Sequence, residues 1–159
     1  MEGLQGLFEA VPLDYFILGG IAIVIALDAM RSGIGRAAAL VVALTAALFF
    51  SSLLSDTAFI AGALSSPTVE ILALCALVAA NYFFLRRMGL EYLSGGIGQP
   101  LQAAIAGVCV AIVCVIVWLS TPAFSEYWEF SRQIQSTFAE QFRLFWLIGA
   151  FGALSFARE

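Results

Sequence analysis

Charge is missing from long windows of this chain: none of residues 37–55, 71–85 or 92–125 is Asp, Glu, Lys or Arg, and residues 15–27 form a fourth, shorter window. Stretches this apolar leave no polar face for water, so they do not suit one small soluble core. They match the roughly 20-residue helix that crosses a hydrocarbon layer about 30 Å thick. Inside lipid every backbone N–H and C=O must be satisfied within the segment, which makes helices the expected form. The reading is an all-α membrane protein with four transmembrane helices and a C-terminal amphipathic or re-entrant helical tail.

Composition points the same way. Hydrophobic residues make up 62% of the 159 and charged residues 11%, whereas a soluble domain is about 45–50% apolar and about 25% charged. The formal net charge of −4 excludes the basic surface of a nucleic-acid binder. Glu2, Glu9 and Asp14 precede the first apolar run without any Lys or Arg. That run is therefore expected to be a span and not a secretory signal, which needs a basic start. Apart from the spans, the largest piece is the tail, so a second globular domain is not expected.

The four spans are placed at about 13–29, 37–54, 67–85 and 101–121, forming a bundle over 1–121, with 122–159 as the tail. Pro12 suits the first helical turn, where its missing N–H costs nothing. Asp14 and Asp28 flank the first span and belong near the two interfaces, because a buried unpaired carboxylate in lipid is costly. The third span closes on Tyr82, Phe83 and Phe84 and then Arg86–Arg87, which is how a helix end looks at headgroup level. Small residues recur four apart in every span: Ala22/Ala26, Ala39/Ala43/Ala47, Ala76/Ala80 and Ala103/Gly107/Ala111. That interval lets helix backbones approach closely in lipid, where no hydrophobic force drives helices together.

Loop charge sets an expected orientation. Arg31 and Arg36 lie in the first connection and Arg86 and Arg87 in the third, while the second holds Asp56 and no basic residue. Positive loops stay cytoplasmic, so both termini and the second loop are expected on the outer, periplasmic side of a bacterial inner membrane. In the tail, apolar residues from Phe124 to Phe145 recur three, four or, once, six apart, with Glu126, Glu129, Arg132, Gln133 and Glu140 between them. This is the pattern of an amphipathic helix lying flat at the outer interface. Residues 144–157 are uncharged and short for a span. They fit an interfacial or bundle-packed segment, with a tilted fifth crossing as the alternative.

Candidate functional residues are sparse. Asp28 stands one turn before Arg31, which reads as a local ion pair at a helix end or as half of a polar track for ions. Glu70 falls in the first turn of the third span, where a carboxylate favours the unpaired amide end. Asn81 lies deeper in the same span and is expected to hydrogen-bond across to another helix. Cys75, Cys109 and Cys114 read as small packing residues. The chain has no histidine, so a zinc site, a His-ligated haem and Ser-His-Asp or Cys-His pairs are not expected. The glycines from Gly89 to Gly98 fit a ligand loop or a re-entrant or flexible turn, and they do not form a phosphate-binding fingerprint.

These features resemble the colicin V production protein (CvpA-like) family of bacterial inner-membrane proteins. Leu13-Asp14-Tyr15 matches the family's start to helix one. Arg31-Ser32-Gly33-Ile34-Gly35-Arg36-Ala37 is similar to its Arg-Gly…Arg-Glu turn with one residue inserted. Asn81 and Gly89 resemble the Asn near the end of its third helix and the following glycine. Tyr127-Trp128-Glu129-Phe130-Ser131 resembles its late Trp-x-x-Ser. Ala37 replaces the family's Glu. The third loop lacks its Asp-Arg pair, and the fourth span lacks its Arg-Gly. The resemblance implies a multi-pass protein linked to colicin V production or export and to envelope homeostasis, without an established catalytic site. The expected function is that of a non-enzymatic structural, assembly or accessory subunit with no cofactor. Its expected partners are membrane lipids and other integral membrane proteins or its own copies, and not nucleic acid. A small transporter or channel is the alternative. Asp28, Arg31, Arg36, Glu70, Asn81, Trp128 and Ser131 are the candidate polar or partner contacts.

Overall fold

The computed structural model describes residues 12–55, 57, 66–89 and 99–157. Residues 1–11, Asp56 and most of the second loop, the glycine-bearing segment 90–98 and Arg158 lie outside the described residues. So do the readings made on them: an outward-facing N-terminal segment, an acidic second loop and a re-entrant or flexible glycine turn. Among the described residues all regular structure is helical: α1 (Leu13–Ser32), α2 (Ile34–Ser55), α3 (Pro67–Arg87), α4 (Pro100–Ser120), α5 (Pro122–Ser125), α6 (Arg132–Thr137) and α7 (Glu140–Ala157). The first four of these are long and apolar enough to cross a membrane. The all-α membrane architecture with a helical tail is therefore the one observed.

Local chemistry sets the helix ends. Proline opens α3 and α4 at the first helical position, and the Gln99 N–H is satisfied by Gln102 Oε1 at 3.2 Å. Helices α1 and α2 run further than charge alone indicates. The expected loop at 30–36 shrinks to a single residue, Gly33, whose φ of 86° only glycine adopts readily. Its N–H bonds Ala29 O at 2.9 Å. Charges end an apolar window but not an α-helix, so Arg31 and Arg36 remain helical on a solvated face.

Helix α4 is the centre of the bundle. Of its apolar window 56% is buried, against 6% for α3. Ala103, Ala106, Val110, Val113 and Val117 form the shared core with Ala29, Val41, Ala47, Leu74, Ala150 and Leu154 from the surrounding helices. Helices α1, α2 and α7 pack directly on α4, while α3 packs on α2. A Cβ at Gly107 would collide with Ala22 O and lie 3.2 Å from Ala26 Cβ. The small residues of the first and fourth spans thus meet at a backbone-close crossing. Ala39, Ala43 and Ala47 are wholly buried. Ala76 and Ala80 are exposed, so among the described residues that pair of the third span does not form a buried crossing.

The tail departs from the single flat amphipathic helix expected over 124–145. It breaks into α5, a non-helical stretch at 128–131 and α6. Phe130 and Ile134 bury against Val115 and pack with Trp118, while the Ser131 N–H turns to Asp14. Those tertiary contacts override the helical period. Helix α7 then runs back along α4. Arg143 reaches Ser120 at the end of α4, while Ala150 and Ala153 lie level with Ile105 and Cys109. Its 18 residues span about 27 Å, so this segment is bundle-packed and antiparallel to α4. Two faces result. One carries Asp28, Arg31, Arg36, Arg86 and Arg87. The other carries Asp14, Glu70 and the α5–α6 segment.

Candidate functional site

Polar groups from the two ends of the chain converge at the tail face. Asp14 sits in the first turn of α1 and is only 5% exposed. Its carboxylate accepts the Trp128 indole N–H at 3.1 Å and the Ser131 backbone N–H at 2.6 Å. Hydrogen bonds to an ionised acceptor are the strong kind, and here they join residues more than a hundred positions apart. The Leu13-Asp14-Tyr15 and Trp128-to-Ser131 segments, separate in sequence, are one structural unit.

Around this carboxylate the aromatic residues are pinned. Trp118 Nε1 donates to Trp128 O at 3.1 Å. The Trp118 ring stacks on Phe124 at 4.4 Å and meets Phe130 edge-on at 5.8 Å. Gln135 Nε2 donates to Phe130 O at 2.8 Å. Arg143 is half-buried, with Nε on Phe138 O at 3.3 Å and Nη1 on Ser120 Oγ at 3.2 Å. Together they leave a cavity of about 330 Å³ lined by Trp118, Thr121, Trp128, Glu129, Gln135 and Arg143, among others. The buried hydroxyl of Ser131 has no hydrogen-bond partner.

The other candidates are dispersed. On the opposite face Asp28 pairs with Arg36 at 3.2 Å, not with Arg31. Ser32 sits between them, donating to Asp28 at 3.3 Å and accepting from Arg36 at 2.8 Å. The near-continuous helix through Gly33 brings Arg36 back over Asp28, while Arg31 points to an exposed side. Asn81 Nδ2 donates to Leu77 O at 2.8 Å, one turn back on its own helix rather than across the bundle. Glu70 lies in the first turn of α3, at the other end of that helix from Asn81. These residues do not form a common site. Asp14, Trp118, Gln135 and Arg143 were not singled out from sequence as site residues. A carboxylate at a span start and two Trp N–H groups needing acceptors were the available signal.

No protein-family model, curated protein or solved structure matches this chain.

Proposed function

We propose that this chain is a non-enzymatic structural or accessory subunit that works by packing against other membrane helices. We place it in a bacterial inner membrane, with the tail face periplasmic and Arg31, Arg36, Arg86 and Arg87 cytoplasmic. The resemblance to the colicin V production family makes production or export of such a toxin, and envelope homeostasis, the setting for that role. The observation that carries the reading is the uneven use of small residues. Between α1 and α4 they bring backbone against backbone at Gly107, whereas Cys75, Ala76, Ala79 and Ala80 of α3 are exposed. An exposed small-residue face gains little from lipid tails and much from a second helix that can approach it closely.

The porter alternative finds less support. Asp14 is committed to the tail and Asp28 to Arg36, and the middle of the bundle is closed by Ala, Val, Gly and Cys. Purification in mild detergent followed by mass spectrometry tests the proposal. A stoichiometric helical partner or a defined oligomer is expected, lost on Ala76→Leu with Ala80→Leu while the thermal midpoint is kept. A clean wild-type monomer would overturn it. Ion or solute flux into proteoliposomes above that of empty vesicles would favour the porter instead.

A further inference from the structure

The tail-face cavity contains a cation and an anion that are not paired with each other. Two of Arg143's five guanidinium donors are used, by Phe138 O and Ser120 Oγ, and the rest are unspent. Among the described residues the only ion pair is Arg36–Asp28, so no described carboxylate neutralises Arg143. Glu129 lines the same cavity from its exposed rim. A half-buried guanidinium without a counterion favours a bidentate oxyanion such as phosphate.

We propose that this cavity binds the zwitterionic headgroup of a phospholipid, with the phosphate at Arg143 and the ammonium at Glu129. The volume of about 330 Å³ falls within the range of small-molecule sites. Trp118 and Trp128 form fixed walls, because each indole N–H is already held, by Trp128 O and by Asp14. The cavity lies where α4 ends and tryptophans gather, which is the headgroup level of a bilayer. A purely anionic headgroup would satisfy Arg143 and be repelled by Glu129, so the pair selects a neutral zwitterion. This inference rests on the helices lying in lipid and is independent of any protein partner.

The test uses the full chain, delipidated in mild detergent and titrated with phosphatidylethanolamine or phosphatidylglycerol under native mass spectrometry. The wild type should retain the zwitterionic lipid about tenfold more strongly than the anionic one, since one charge-assisted interaction is worth roughly that ratio. Arg143→Gln should lose about tenfold in phosphatidylethanolamine affinity, and Glu129→Gln should bring the two lipids level. If Arg143→Gln does not fold, Glu129→Gln carries the test, because its side chain is exposed. Equal retention of both lipids by the wild type overturns the proposal, as does an unchanged preference in Glu129→Gln. So does displacement of lipid by free phosphoethanolamine or inorganic phosphate at equal concentration. Resistance of the wild type to alkaline extraction from membranes reports separately on placement in lipid. A protein that washes off refutes the placement, and one that stays but shows no preference refutes only the headgroup site.

Discussion

Asp14→Asn is the sharpest probe of how the tail is held. The side chain keeps its shape but exchanges one acceptor oxygen for a donor. Oδ1 of the new amide stays with the Ser131 N–H, the shorter of the two contacts at 2.6 Å. The –NH₂ then faces the Trp128 indole N–H, donor against donor. A hydrogen bond to a charged group contributes about 1.5–3 kcal/mol. Asp14 is 5% exposed, which favours the upper end, while Trp128 is 38% exposed, which lets water replace part of the loss. Asp14→Asn is therefore expected to cost about 2 kcal/mol. Trp128→Phe removes the donor from the other side and also some packing area. In a double-mutant cycle the packing term cancels and the coupling between the two sites should be about 1–2 kcal/mol. The assay is unfolding of the detergent-solubilised protein by titration with a denaturing detergent, followed by far-UV circular dichroism. Costs that add to within about 0.5 kcal/mol would refute the argument. In that case Asp14 would be a solvated carboxylate and the tail would be held by its aromatic residues.

Other outcomes are expected elsewhere in the molecule. Gly107→Ala gains about 1 kcal/mol of helix propensity but drives a methyl into Ala22 O. Overpacking costs about 1–3 kcal/mol, so the same unfolding titration should show net destabilisation, and more for Gly107→Leu. Asp28→Asn and Arg36→Gln should each change stability by less than about 1 kcal/mol, because Asp28 is 50% and Arg36 32% exposed; a larger loss would make it more than a surface pair. In a background without Cys75, Cys109 and Cys114, Phe156→Cys, at a position 78% exposed, should be labelled by an impermeant thiol reagent from the same side as Arg31→Cys, because α7 runs antiparallel to α4. Thr57→Cys should be labelled from the opposite side, because α2 separates it from Arg31. Labelling of Phe156→Cys from the Thr57 side would mean that α7 lies at the outer interface.

Much of the architecture was legible because lipid imposes a simple rule. Length and lack of charge located α1 to α4 to within a few residues, and Pro67 and Pro100 marked two of the starts. The turn at Gly33 was hidden. Arg31 and Arg36 look like a loop to a charge count, yet a single glycine with positive φ allows helix on both sides. The tail was misread for the opposite reason. Its apolar period from Phe124 to Phe145 is helical, but the chain at 128–131 is not helical, because the Trp128 indole and Ser131 N–H go to a carboxylate on another helix.

Sequence alone determined the solvent this chain is built for and the approximate ends of its spans, since both follow from local composition and backbone hydrogen bonding. Tertiary structure alone decided which small residues meet, pairing Gly107 with Ala22 and Ala26 while leaving Ala76 and Ala80 exposed. It also decided that Asp14 anchors the tail and that Arg36, not Arg31, faces Asp28. The physical reason is that a four-residue repeat is the same on every helix. Which repeat finds a partner, and which charge finds a counter-charge, depends on helix order and rotation, and these emerge only when the whole bundle packs around α4.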